Sequence, residues 1–291
     1  MSTENRTFNR RQALQSLGMI GAGAALTACM PTAIAQMPNI DVDVLNFALN
    51  LEYLEAEFYL QAAFGRSLSA ADSGGGPAPI GGRKVTFATP AIQAYAEEIA
   101  LDEETHVKFL RSALGANAVP RPQIDIGPAF AAAANAAFAT TLSPAFDPYA
   151  NELFFLHGAF IFEDVGVTAY KGAARLITNK DFLEAAAGIL AVEAYHAGEI
   201  RTLLYREKDT VTPYGVNVQT IVQKISDLRG SVGGGKDQGI VVGGKANIVP
   251  TDANAIAFSR NTSEVLRIVY LGGTASGGFF PNGLNGNIKT A

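Results

Sequence analysis

Four long helical segments, two of them carrying the same Glu-x-x-His motif, predict an all-α protein: a four-helix bundle with a partly irregular C-terminal extension. Apolar residues recur at helical spacing from Asp41 to Phe64, as at Leu45, Ala48, Leu49 and Ala56. With 48% hydrophobic and 17% charged residues, the 291-residue chain can bury a sizeable core.

Each element follows from local signals. Gly65 and the Ser/Gly/Pro-rich stretch from Ser67 to Arg83 end the first helix in a loop. Thr89-Pro90 opens the second, with Thr as cap and Pro at the first helical position, and Gly115 closes it after Leu114. A connector containing Pro120, Pro122 and Pro128 holds a short Ala/Phe-rich helix near Phe130–Ala139. The third long helix is expected from Pro148 to Ile177. The fourth runs from Lys180 to about Tyr205, capped by Asn179 or Asp181. These four make a bundle over 41–210. In the extension, 211–291, Val218–Leu228 and Ser259–Leu271 read as short helices. Gly233–Gly244 and Gly272–Gly286 read as irregular chain. Ile240–Val242, Ile268–Leu271 and Phe279-Phe280 are apolar enough to pack the extension onto the bundle.

Residues 1–35 are expected to be an address and not part of the fold. Arg10-Arg11 precede an uncharged, Gly/Ala-rich stretch, the pattern of a twin-arginine export signal. Leu26-Thr27-Ala28-Cys29 forms a lipobox and Ala33-Ile34-Ala35 a competing peptidase site. The first would anchor the chain through lipidated Cys29. The expected partner is the twin-arginine machinery, and the expected location the periplasm or cell envelope. With one cysteine, no disulfide framework or cysteine metal site can form within the chain. A net charge of −5 without a basic run argues against nucleic acid.

Two of the three histidines repeat one pattern, Glu103-Glu104-Thr105-His106 and Glu193-Ala194-Tyr195-His196. Residues three apart share a helical face, so each Glu and His can grip one cation. The other long helices supply Glu52 and Glu163, and Tyr follows each seven residues later, at Tyr59 and Tyr170. Arg111 and Arg201 repeat in register after the two motifs. One Glu from each of two helices and Glu-x-x-His from the other two is the ligand plan of di-iron and di-manganese bundles. The expected ligands are therefore Glu52, Glu103, His106, Glu163, Glu193 and His196, around two iron or manganese ions. Glu55, three residues after Glu52, is the rival on the first helix. Glu57 points elsewhere, and His157 lies off the ligand face. Tyr59 and Tyr170 are expected close to the metals, and Asp102 to orient His196 through its free ring nitrogen.

The segment LNFALNLEYLEAEFY, Leu45–Tyr59, together with these motifs resembles the ferritin-like superfamily, in particular the branch that includes desiccation-related proteins. The resemblance covers Asp41 to Tyr205. It implies an antiparallel bundle with one long crossover between the second and third helices. The family's C-x-x-C electron-transfer attachment is absent, and the Gly-rich loop and extension depart from cage-forming ferritins. Hard O/N ligands suit iron or manganese. The expected chemistry is oxidation of Fe(II) or removal of oxygen or peroxide in stress protection. The alternative is a non-enzymatic desiccation or stress protein of the envelope with a structural metal.

Overall fold

The computed structural model describes residues 40–291. Arg10, Arg11, Cys29 and both processing sites lie outside the described residues. In order, the elements are α1 (Asp41–Phe64), α2 (Pro90–Leu114), a 3-10 turn (Gly115–Asn117), α3 (Pro128–Phe138), α4 (Glu152–Ala174), α5 (Lys180–Arg206), α6 (Val218–Val232), a hairpin of β1 (Val241–Val242) and β2 (Lys245–Ala246), and α7 (Thr262–Val269). This is an all-α bundle. Consecutive helices pair, α1 with α2 and α4 with α5, and the segment 115–151 crosses between the pairs.

Burial divides the four long helices into two kinds. On α1 and α4 almost every face is buried, including Asn50, Glu52, Glu57 and His157, so these two form the centre. Helices that are buried all round sit inside a fold; amphipathic ones cover it. α2 and α5 bury one stripe each, and those stripes contain Glu103, His106, Glu193 and His196. Where α1 meets α4, Phe58 is surrounded by the rings of Tyr59, Phe130, Tyr149, Phe155 and Phe162, at centroid separations of 5.0–5.8 Å.

Local chemistry sets the helix ends. α4 starts at Glu152, later than Pro148, because the Asn151 side chain accepts the N–H of Phe154 at 2.9 Å. It stops before Ile177 because the next turn is used otherwise. Asp41 accepts the N–H groups of Thr178 (2.8 Å) and Asn179 (2.9 Å), tying the start of α1 to the α4–α5 corner. Asn179, rather than Asp181, caps α5 through the N–H groups of Asp181 and Phe182. α7 is shorter than Ser259–Leu271 because Asn261 and Glu264 form a reciprocal capping box. The stretch read as irregular at 233–244 contains one strand of a hairpin. Its turn is Gly243-Gly244, both at positive φ (57° and 76°), a backbone that residues with a Cβ adopt at a cost.

The extension packs into the same core. Phe279 is buried, with its ring 4.9 Å from that of Phe162 and 5.1 Å from that of Phe130. Asn285 exchanges two hydrogen bonds with Asn50 on α1, at 2.9 and 3.0 Å. Three buried arginines and two aspartates complete the attachment. Asp164 on α4 accepts from Arg201 and from Arg229, both at 2.8 Å; Asp237 accepts from Arg229 (2.8 Å) and Arg260 (2.9 Å). Arg201 also donates to the carbonyls of Gly239 and Asn247, and Arg260 to the Thr168 hydroxyl. Buried guanidiniums require such pairing, because an unmatched one costs several kcal/mol.

Candidate metal centre

The sequence repeat becomes a spatial one. Glu52 and Glu163 lie on the two central helices and the Glu-x-x-His motifs on the covering pair, all fully or nearly fully buried. Tyr59 donates its hydroxyl to Glu163, while Tyr170 donates to Glu52, so each half of the repeat orients the carboxylate of the other. The arginines follow the same rule. Arg111 donates to Tyr53, the residue after Glu52, at 2.7 Å; Arg201 donates to Asp164, the residue after Glu163.

Among the described residues, two groups of potential ligand atoms result. One comprises Glu52, Glu103, His106 and Glu193, and the other Glu103, Glu163 and His196, with the atoms of each group within 4.8 Å of one another. Both contain Glu103, whose Oε2 lies 3.2 Å from His106 Nδ1 and whose Oε1 lies 3.0 Å from His196 Nδ1. Glu103 is therefore the carboxylate that can span two ions. His106 Nδ1 is also 3.2 Å from Glu52, and His196 Nδ1 is 3.6 Å from Glu163. On the outer side of His196, Nε2 lies 3.2 Å from Asp102 Oδ2. With its proton on Nε2, the ring presents a bare Nδ1 to the cluster. Among the described residues His106 has no such Asp partner, as Val192 stands at the repeat-equivalent position.

Glu55 is the seventh side chain in this volume. It is buried, and Glu193 Oε2 and Glu55 Oε1 both approach Gly166 on α4. Gly166 is the repeat counterpart of Glu55. A Cβ there would stand 2.1 Å from Glu193 Oε2, so only glycine lets that carboxylate rest against the α4 backbone. Glycine in the interior of a helix costs about 1 kcal/mol, which makes such a position a signal of close approach. Glu57 faces elsewhere, paired with Arg121 and with the Leu68 N–H. His157 is a core residue 2.7 Å from the Leu153 carbonyl.

Five carboxyl groups and two imidazoles in one buried volume oppose one another electrostatically. Burial pushes Glu52 up to about 7 despite the attraction of His106. Burial and the neighbouring carboxylates raise Glu55 and Glu193 further. Glu103 also feels its burial, but the attraction of the two histidines beside it wins and holds it below the ordinary range. Burial lowers His106 and His196, yet Glu52, Glu103 and Glu163 outweigh it and carry them up to about 11 and 12. Without cations, protons must therefore balance the carboxylates. Both oxygens of Glu193, with Glu103 Oε1, Glu163 Oε2 and His196 Nδ1, are buried without hydrogen-bond partners. Orphaned acceptors that converge within coordination reach are the arrangement two divalent cations would satisfy. The residues present fit a di-metal centre.

Set beside known proteins, residues 40–206 match the family model described as a ferritin-like domain. The chain belongs to the ferritin-like family. It is 39% identical over 245 residues to the desiccation-related protein PCC13-62 of Craterostigma plantagineum, covering 79% of this chain and 77% of that one. It is 33% identical over 265 residues to the ferritin-like catalase Nec2 of Nesocodon mauritianus, covering 85% and 84%. No solved structure matches it.

Proposed function

We propose that the chain holds two manganese or iron ions between Glu52, Glu103, His106, Glu163, Glu193 and His196 and removes hydrogen peroxide by disproportionation, 2 H2O2 → O2 + 2 H2O. The observation that carries this reading is the sharing of Glu103 by both ligand groups. The name of the 33% identical relative, a ferritin-like catalase, supports the choice of reaction. Two such ions, when bound, supply the two-electron exchange that takes electrons from one peroxide and gives them to the next. The side chains do the rest. Glu103 would hold both ions, and His106 and His196 would each offer Nδ1 as a ligand. Tyr59 and Tyr170 hold Glu163 and Glu52 in orientation through their hydroxyls. Glu55, not needed as a ligand, is left beside Glu193 to hold a proton near the reacting oxygens. Arg10-Arg11 and the sequence around Cys29 support export and lipid anchoring in the envelope, where peroxide protection during drying stress would be useful.

The test is oxygen evolution. Protein reconstituted with manganese or with iron should carry two ions per chain and release one dioxygen per two peroxides. Glu103→Gln should lose both ions together. Two ions bound without evolution of dioxygen would overturn the peroxide reading. That outcome would favour a structural metal in a stress protein, a reading supported by the 39% identical desiccation-related relative. A parallel measurement of Fe(II) oxidation by oxygen tests ferroxidase chemistry at the same site.

A further inference from the structure

We infer that the C-terminal extension builds an apolar conduit for dioxygen between the protein surface and the Glu55–Gly166 side of the metal centre. The inference rests on the peroxide reading for its direction, since dioxygen is the product that must leave.

Two cavities carry it. The outer one, about 40 Å³, lies among α3, α6 and α7, with Ala134, Ala137, Ile225 and Leu228 in its wall. Half-buried Ala137, Phe138, Leu142 and Leu228 put its mouth at the surface. The inner one, about 20 Å³, is bounded by Leu54, Val165 and Val269 and ends on Glu55, Gly166 and Tyr170. Ile161, Ile268 and Phe279 line both cavities, so a single layer of side chains separates them. Ile268 and Phe279 come from the extension, which the four-helix bundle alone would lack. At the inner end, the missing Cβ of Gly166 leaves Glu193 Oε2 against the α4 backbone at the edge of the cavity.

Size and polarity select the occupant. A water molecule needs about 10–15 Å³, so each chamber admits only one or a few small molecules. The walls are almost wholly apolar, and the Arg229 guanidinium at the outer chamber is already engaged by Asp164 and Asp237. Water or peroxide entering would give up hydrogen bonds without replacement. Dioxygen has none to give up. The opposite side of the centre differs. There a groove of about 480 Å³ is bordered by Glu98, Asp102, Tyr195 and Glu199 and reaches His196. Peroxide and water have that polar approach, and the gas has its own way through the apolar layer.

Xenon is the probe. Crystals of the metal-loaded protein under xenon pressure should show the gas in both chambers. Absence of xenon from the inner chamber would overturn the conduit. Ile268→Phe, which fills the layer between the chambers, should remove xenon from the inner one and lower peroxide turnover several-fold at unchanged metal content. Unchanged turnover in that variant would also overturn the proposal. If the added bulk prevents folding, Ala137→Phe narrows the outer chamber from a half-buried position and makes the same prediction for turnover. A native protein that binds xenon in both chambers but evolves no dioxygen would refute the peroxide reading while leaving the conduit standing.

Discussion

Replacing Gly166 with Ala should strengthen the metal-free fold and weaken the metal centre. The added methyl group would stand 2.1 Å from Glu193 Oε2 and 2.9 Å from its carboxyl carbon. Ordinary contact begins near ~3.5 Å, so the carboxylate must retreat by more than ~1 Å. The retreat costs the metal-free protein little, because neither Glu193 oxygen has a hydrogen-bond partner to lose and the group is the end of a flexible side chain. Alanine in place of glycine within a helix contributes about 1 kcal/mol, worth roughly 2–4 °C in melting temperature for a domain of this size. The metal-loaded protein loses instead, because Glu193 is displaced from the group it forms with Glu52, Glu103 and His106. A disturbed supporting contact of this kind weakens metal binding by about 10–100-fold. Calorimetric titration of metal into wild type and Gly166→Ala, with thermal melts of both metal-free proteins, reads the two effects separately. A variant that binds two ions with wild-type affinity would refute the assignment of Glu193 as a ligand held against Gly166.

Asp102→Ala should leave the His196 ring without its outer partner and weaken binding at that ion by about 10–100-fold in the same titration; unchanged affinity would remove the role. Asp237→Ala strips a partner from two buried guanidiniums, Arg229 and Arg260, and should destabilise by about 3–5 kcal/mol in urea unfolding, whereas a change below ~1 kcal/mol would contradict the clamp. His157 predicts an acid limb. Burial, only partly opposed by the Leu153 and Val218 carbonyls, lowers its pKa to about 4, below the ordinary value of ~6.5. As pH falls, the unfolded chain takes the proton first. The contribution is thus complete above pH ~6.5 and is lost on the way down through about 4, roughly 3 kcal/mol in all. His157→Gln should flatten that part of the urea midpoint against pH, and an unchanged slope would assign the acid sensitivity elsewhere.

The helices and the buried Glu/His cluster were legible for different reasons. α1 and α2 begin and end where apolar periodicity, Thr89-Pro90, Gly65 and Gly115 put them, because those signals act within one turn of chain. The site was legible because it is a repeat. Two copies of Glu-x-x-His with matched flanks name most of the donors, and chemistry that needs O and N ligands leaves few other choices. The repeat could not say how its halves meet. That Tyr59 reaches Glu163 and Tyr170 reaches Glu52 depends on the packing of α1 against α4, which no local spacing encodes.

Between Glu52 and Glu55 the sequence offered a preference, and the structure brings both into the same buried volume, with Gly166 facing Glu55 from the other half. The departures from symmetry carry most of the new information. Val192 in place of a second Asp leaves His106 without the partner that His196 has, and Gly166 in place of a second Glu makes room for Glu193. The extension was the least legible part. Its glycine-rich segments have weak periodicity, and its attachment uses Arg201, Arg229 and Arg260, whose aspartate partners lie far away in the chain or on another element. The sequence alone determined the helices, the repeat and the donor types, since these are properties of neighbouring residues. Only the tertiary structure decided which carboxylate lies between both histidines, and that the last eighty or so residues close over the α1–α4 core. Both are set by contacts between segments far apart in the chain.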